Sequence, residues 1–359
     1  MSAGGASRIE GVRAALAARL AMTVDDLVPL ADTGLAHDHI VIADSGMLAR
    51  IPKQSQMDLA PDENLTYQAV CFERAGESGH TPRLHEVLAP DAALPMGALI
   101  VDRIEGRPLR LPDDLTAMAE CLAAIHALPL PEDQTRAPLK NPPDTLSDTF
   151  TEILAQSAFI GMAGLHPDSE AQIREELQAA GRTLAGRERP LACLIAFDAH
   201  PGNYLRDTNG RAILVDLEKA RYGAPGFDLA HATLYTSTTW DVASHAVLNN
   251  AQVAAFHDAW LAAVPEALAV ATRPWLKPLR RMMWLWSVTW CTMWRVQSRE
   301  EAGQSNTSEN WSSELSDDAL ISHVAARVAD YLDPDTIAHV RMDWAEPGVT
   351  GRPATSLSS

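Results

Sequence analysis

The chain has 359 residues, 47% of them hydrophobic and 21% charged, with 29 basic against 47 acidic side chains and a formal charge of −18. That length and composition suit a globular protein with a large core and two lobes, and the acid excess is a poor match for a nucleic-acid backbone, which rewards basic surface. It fits a small or cationic partner better, although acidic surface most often serves solubility alone.

Residues 8–21 alternate Arg with Ala and Leu at helical spacing and read as a leading amphipathic helix without the apolar core of a secretion signal. A β-rich section follows, in which residues 33–55 alternate apolar and polar positions around a turn at Asp44-Ser45-Gly46. Residues 65–79 read as a helix stopped by Gly79, and HTPRLHEVLAP and MGALIVDRIEG as two further strands. Together these make a small lobe over residues 1–101, and residues 102–345 make a larger, mostly helical lobe. Helical patterns recur at 115–128, 149–160, 168–186, 243–264, 275–299 and 316–332, with a Pro-rich loop at 130–149. The Gly, Pro, Ser and Thr of 346–359 predict a disordered tail.

Cys71, Cys121, Cys193 and Cys291 lie far apart, which argues against a zinc knuckle or disulfide framework and suits reduced thiols in a cytoplasm. The most apolar run, MMWLWSVTWCTMW at 282–294, is bracketed by Arg281 and Arg295 and is too short to cross a bilayer, so no membrane partner is expected. Met282, Met283, Trp286, Trp290 and Met293 share one helical stripe, for which core packing is the first explanation and a cage of Trp around a quaternary ammonium the second. The sequence carries no signature of an oligomeric state.

The chemistry concentrates in IAFDAHPGNYLRDTNGRAILVDLEKA, residues 195–220. Asp198 follows an apolar run, where a buried strand opens into a loop, and His200-Pro201-Gly202 bends the chain into Asn203. The turn Asp207-Thr208-Asn209-Gly210 predicts a hairpin that returns Asp216 to the level of Asn203. Mg²⁺ takes hard oxygen ligands, a carboxylate or two plus substrate phosphates, and Asn203 and Asp216 meet that need. Asp198, just upstream, is placed to accept a proton from an attacking hydroxyl. One carboxylate at the nucleophile, with an amide and a carboxylate on the metal, is the arrangement phosphoryl transfer requires. His200 reads as a loop-orienting residue. The D-x-H pair that it forms with Asp198 also opens metallophosphoesterase motifs, but their G-D-x-x-D and G-N-H-[DE] are absent from the sequence.

AFDAHPGN, LVDLEKA and GAPGFDLA resemble the signature of the aminoglycoside phosphotransferase and choline kinase family, which reads H-G-D-x-H-P-G-N, I-D-[FW]-E and G-x-P-x-x-D-L-A. The resemblance extends loosely over residues 25–300, with its strong motifs within 196–231. It implies an α+β, bilobal protein-kinase-like fold: a small β-sheet N-lobe with one helix, and a larger helical C-lobe. It also implies ATP and Mg²⁺ as cofactors and a small-molecule hydroxyl (sugar, amino alcohol or aminocyclitol) as acceptor. Asp198 would be the catalytic base, Asn203 and Asp216 metal ligands, and Asp228 the buried acid tying the catalytic loop to the next helix, although a plain helix N-cap reads equally well there. In the small lobe Arg50 would grip the nucleotide phosphates, Gly34 would lie in the nucleotide-covering turn, and the backbone from Asp102 to Ile104 would take the adenine.

Two departures stand out. Ala196-Phe197 replaces the usual His-Gly, which bears on loop geometry more than on chemistry. The helix Glu expected to pair with Arg50 is Gln68, which can hydrogen-bond Arg50 but not neutralise it; Glu73, five residues on, faces elsewhere. Glu218, Trp240 and Asp241 are candidates for the substrate side. The alternative to a kinase is a pseudokinase, a nucleotide-binding module without transfer.

Overall fold

The computed structural model describes residues 3–30, 36–300 and 318–344. Helix α1 (Ala3–Leu20) precedes strands β1 (Leu27–Pro29), β2 (His37–Ile42) and β3 (Met47–Pro52), helix α2 (Pro61–Gly76), and strands β4 (Leu84–Leu88) and β5 (Ala98–Asp102). The five strands form an antiparallel sheet in the order β1-β2-β3-β5-β4. The β2–β3 turn falls where the sequence places it, with Asp44 and Gly46 at φ +54° and +70°. α1 closes one face of this sheet through Val12, Leu16, Ile40, Ile51 and Ile100.

The connector runs through β6 (Gly106–Pro108), which pairs antiparallel with β8 (Tyr204–Asp207), itself hairpinned to β9 (Ala212–Leu214). Gly106 is required here, because a Cβ would collide with the Arg206 carbonyl. β7 (Cys193–Ile195) pairs with β10 (Arg221–Gly223). Around these strands pack α3 (Leu115–His126), α4 (Thr145–Ser157), α5 (Pro167–Ala185), α6 (Pro225–His231), α7 (Tyr235–Thr238), α8 (Asn250–Ala263), α9 (Glu266–Thr272), α10 (Leu276–Glu300), α11 (Asp318–Tyr331) and α12 (Pro334–Arg341). The fold is therefore α+β and bilobal, a small antiparallel sheet packed with helices α1 and α2, followed by a helical lobe.

Several boundaries differ from the sequence reading. The leading helix begins at Ala3 rather than residue 8. α4 starts at Thr145, inside the expected loop, because the Asp144 carboxylate accepts from the Leu146 and Ser147 N–H groups at 3.1 Å each and caps it. The helix expected from 243 starts only at Asn250, because Asn249 and Gln252 form a reciprocal capping pair there. α9 and α12 are short helices that the periodicity does not announce. The tail at 346–359 and Gly34 lie outside the described residues.

Candidate active site

β7 ends at Ile195 and the chain enters the loop that carries Asp198 through Ala196 and Phe197. Phe197 has φ +61°, a left-handed backbone normally left to glycine. Two restraints hold it there. The Asp228 carboxylate, wholly buried, accepts the Phe197 N–H at one oxygen and the Ala196 N–H at the other, both at 2.7 Å. The Phe197 ring is also boxed in edge-on by Phe227 and Trp286, with the Arg221 guanidinium 3.7 Å from its centroid on the face.

Asp228 thus binds the loop backbone from α6. Its second partner is an imidazole from elsewhere in the chain: His126 Nε2 on α3 donates to it at 3.0 Å, and His126 Nδ1 accepts from Trp260 Nε1 at 3.1 Å. These two bonds fix one ring tautomer. His126 lies 102 positions from Asp228 in sequence. No sequence spacing signals it.

Past Phe197 the loop delivers Asp198, and its carbonyl accepts from Asn203 Nδ2 at 2.8 Å, which orients the Asn203 amide oxygen away from that contact. His200 Nδ1 accepts the Gly202 N–H at 3.2 Å, so His200 shapes the loop. Gly202 leaves room for this packing, since a Cβ there would stand 2.8 Å from Asp241 Cβ and 2.9 Å from His200 Cε1. Val215 N–H donates to the Asn203 carbonyl at 2.9 Å, and this bond sets Asp216 beside Asn203. The hairpin turn is closed by Asp207 Oδ1, which accepts from the Asn209 and Arg211 N–H groups.

Asp198, Asn203 and Asp216 line one cleft of about 990 Å³ between the lobes, shared with Arg50, Asp102, Arg103 and Ile104. Lys219 Nζ lies 3.0 Å from Asp198 Oδ2, and His231 Nδ1 is 3.7 Å from the other oxygen. Burial would raise the Asp198 carboxyl, but Lys219 and then the two nearby histidines outweigh it and hold it below the usual range. His231 itself is lowered to about 4, chiefly by burial, and is therefore neutral near pH 7.

Arg50, 3% exposed, reaches Asp216 Oδ1 at 2.5 Å, the Val215 carbonyl at 3.3 Å and His37 Nδ1 at 3.0 Å. Burial opposes the Asp216 charge, and Arg50 overcomes it, holding the carboxyl far below the usual range. Gln68 does not bond Arg50 as the sequence suggested. His37 stands between them, and its Nε2 lies 3.0 Å from Gln68 Oε1. Burial, and then the charge of Arg50, keep His37 neutral, so Nε2 donates to Gln68 while Nδ1 accepts from Arg50. Glu73 is exposed on the far side of α2.

Glu218 lines the same cleft but is itself buried, with Oε2 at 3.6 Å from His37 Nε2. Burial and then the Asp216 charge raise its carboxyl to about 8, so it is protonated at neutral pH. The donor atoms of His37, Asp216 and Glu218 lie within 4.8 Å of one another. For a divalent ion the Asn203 amide oxygen and the Asp216 carboxylate form the harder oxygen set, and their chemistry fits Mg²⁺.

At the connector, Asp102 N–H donates to the Arg83 carbonyl and Arg103 N–H to the Gly46 carbonyl, while the Asp102 carboxylate holds His85 at 2.6 Å. The cleft is also lined by Trp240, Trp286, Trp290 and Tyr331, with Trp240 and Trp290 packed edge to face at 5.9 Å. The core expectation for the 282–294 stripe holds for Met282 and Met283, at 2% and 0% exposure, and Trp286 and Trp290 pack half-buried against the same core while also lining the cleft. Trp286 Nε1 is tied to Glu152, which also holds Arg221 and Lys140. Asp241 Oδ2 accepts from the backbone and hydroxyl of Ser244.

The fold resembles solved structures of low identity. A choline/ethanolamine kinase family protein from Mesorhizobium loti aligns with a TM-score of 0.58 at 19% identity, covering 93% of this chain and 99% of that one. A choline kinase from Cryptosporidium parvum gives 0.56 at 12%, covering 94% and 97%. A macrolide 2'-phosphotransferase from Brachybacterium faecium gives 0.51 at 15%, covering 89% and 96%. No curated protein matches the sequence. A model of the phosphotransferase enzyme family (APH) matches residues 40–278, about two thirds of the chain, and the chain therefore belongs to that family.

Proposed function

We propose that the protein transfers the γ-phosphoryl group of ATP to a hydroxyl of a small molecule in an Mg²⁺-dependent reaction. The observation that carries this reading is the convergence of Asp198, Asn203 and Asp216 on one cleft, with Asp198 held as a carboxylate. Phosphoryl transfer asks little covalent chemistry of a protein and depends on positioning and charge. Mg²⁺, held by Asn203 and Asp216, would neutralise the phosphate oxygens. Asp198 would orient the acceptor hydroxyl and take its proton, and the bonds from Asp228 to the loop backbone would keep that carboxylate in place. Arg50 would contact the phosphates from the small lobe, and the connector from Asp102 to Ile104 would border the adenine.

The aromatic wall of Trp240, Trp286 and Trp290 favours an acceptor whose non-reacting part is apolar or cationic. A sugar, an amino alcohol or an aminocyclitol each offers such a part. The four cysteines are buried thiols, as suits a reducing cytoplasm, and no helix among the described residues is long and apolar enough to cross a membrane. The test is Mg²⁺-dependent ADP release across a panel of hydroxylated acceptors. Stimulation by at least one acceptor, abolished in Asp198→Asn, is expected; an equal response from the variant would refute the reading. The binding-only alternative draws on Arg50 having no acidic partner on α2, and it predicts ATP binding with no acceptor-stimulated turnover.

A further inference from the structure

Among the described residues, three cationic side chains line the cleft: Arg50, Arg103 and Lys219. Arg50 is buried deep against Asp216, His37 and the Val215 carbonyl, and Arg103 stands exposed on the connector. Of the three, Lys219 reaches Asp198, with its side chain 21% exposed. It follows Asp216 by three residues on the segment between β9 and β10, and its ammonium stands 3.0 Å from Asp198 Oδ2 in the cleft that Asp216 also lines. An ammonium on a flexible four-carbon stem can exchange one anionic partner for another without moving the backbone.

We propose that Lys219 is a catalytic residue: before nucleotide binds its ammonium masks Asp198, and in the loaded cleft it turns to the γ-phosphoryl oxygens and frees Asp198 for the acceptor. The inference rests on the phosphotransferase reading above. In the step the acceptor oxygen forms a bond to the γ-phosphorus while the bond to the β,γ-bridging oxygen breaks. ADP leaves with that electron pair, and the hydroxyl proton passes to the Asp198 carboxylate and then to solvent. Lys219 stays protonated throughout and stabilises charge on the three equatorial oxygens. A cation placed this way discriminates ATP from ADP, because only ATP carries the group it touches.

Calorimetric titration of Mg·ATP and Mg·ADP into the wild type, Lys219→Met and Lys219→Arg tests this without knowledge of the acceptor. Loss of one charge-assisted contact predicts that Lys219→Met binds ATP about tenfold or more weakly. ADP affinity is expected to stay within about twofold, which also shows that the site is still folded. Lys219→Arg, which keeps the charge, should retain the preference for ATP. Unchanged binding of both nucleotides in Lys219→Met overturns the proposal, and so does an equal loss for both, which would mark a purely structural ion pair. A wild type that binds neither nucleotide would sink the phosphotransferase reading itself, an outcome distinct from failure of the variant.

Discussion

Replacing Phe197 by Ala and by Gly separates two energies that coincide at this position. The ring is 2% exposed and packs against Phe227, Trp286 and Arg221, so truncation to Ala removes a buried aromatic side chain at a cost of roughly 3–5 kcal/mol. The backbone at φ +61° costs any residue with a Cβ about 1–2 kcal/mol, and Ala keeps that penalty. Gly loses the same packing but escapes the strain, at the expense of some unfolded-state entropy. Phe197→Gly should therefore be destabilised, yet remain about 1 kcal/mol more stable than Phe197→Ala, the reverse of the usual order in helices and strands. With a urea slope of about 3 kcal/mol per molar, that separates the two unfolding midpoints by about 0.3 M. Acceptor-stimulated ADP release should follow the same order, because relaxation of the strained backbone in the Ala variant displaces Asp198. An Ala variant as stable as the Gly variant would show that the left-handed conformation imposes no strain and that packing alone explains the loop.

Asp228→Ala strands the Ala196 and Phe197 N–H groups in a buried site, at about 1–3 kcal/mol for each. Equilibrium unfolding should show a loss of roughly 2–6 kcal/mol together with loss of turnover, and a loss near zero would contradict the tie between α6 and the loop. Glu218→Gln tests the buried carboxyl. Its folded-state value of about 8 lies above the unfolded one, so the wild type loses stability as pH rises through that interval and the Gln variant does not. The stability of Glu218→Gln relative to wild type should therefore grow between about pH 4.5 and 8, and a constant or shrinking difference counts against the assignment. Burial pushes the Cys121 and Cys291 thiols up to about 12, and Cys71 and Cys193 are likewise raised. The native protein should resist iodoacetamide at pH 8 and take four labels in urea; rapid native labelling would mean that a thiol is accessible.

Local chemistry explains what could be read in advance. The motif around Asp198, Asn203 and Asp216 is legible because the loop that joins them is short: a Pro-Gly bend, an Asn-Gly turn and one backbone bond from Val215 to Asn203 leave few other arrangements. The β2–β3 hairpin and α2 are legible for the same reason, since alternation and helical periodicity act over a handful of residues. Where a cap competed with the periodicity, as at Asp144 and Asn249, the cap set the boundary.

What the sequence by itself determined is the family and the bilobal α+β fold, and it also named the side chains proposed to carry phosphoryl transfer, because the motifs behind these readings lie in short stretches of sequence. Only the tertiary structure decided their partners. His37 enters between Gln68 and Arg50, His126 reaches Asp228 from α3, and Lys219 lands on Asp198, pairs separated by 13 to 102 positions along the chain. Each of these contacts forms because packing of whole elements brings distant polar groups together and wholly or partly out of water, where a polar partner offsets the lost hydration, a requirement that no local spacing records.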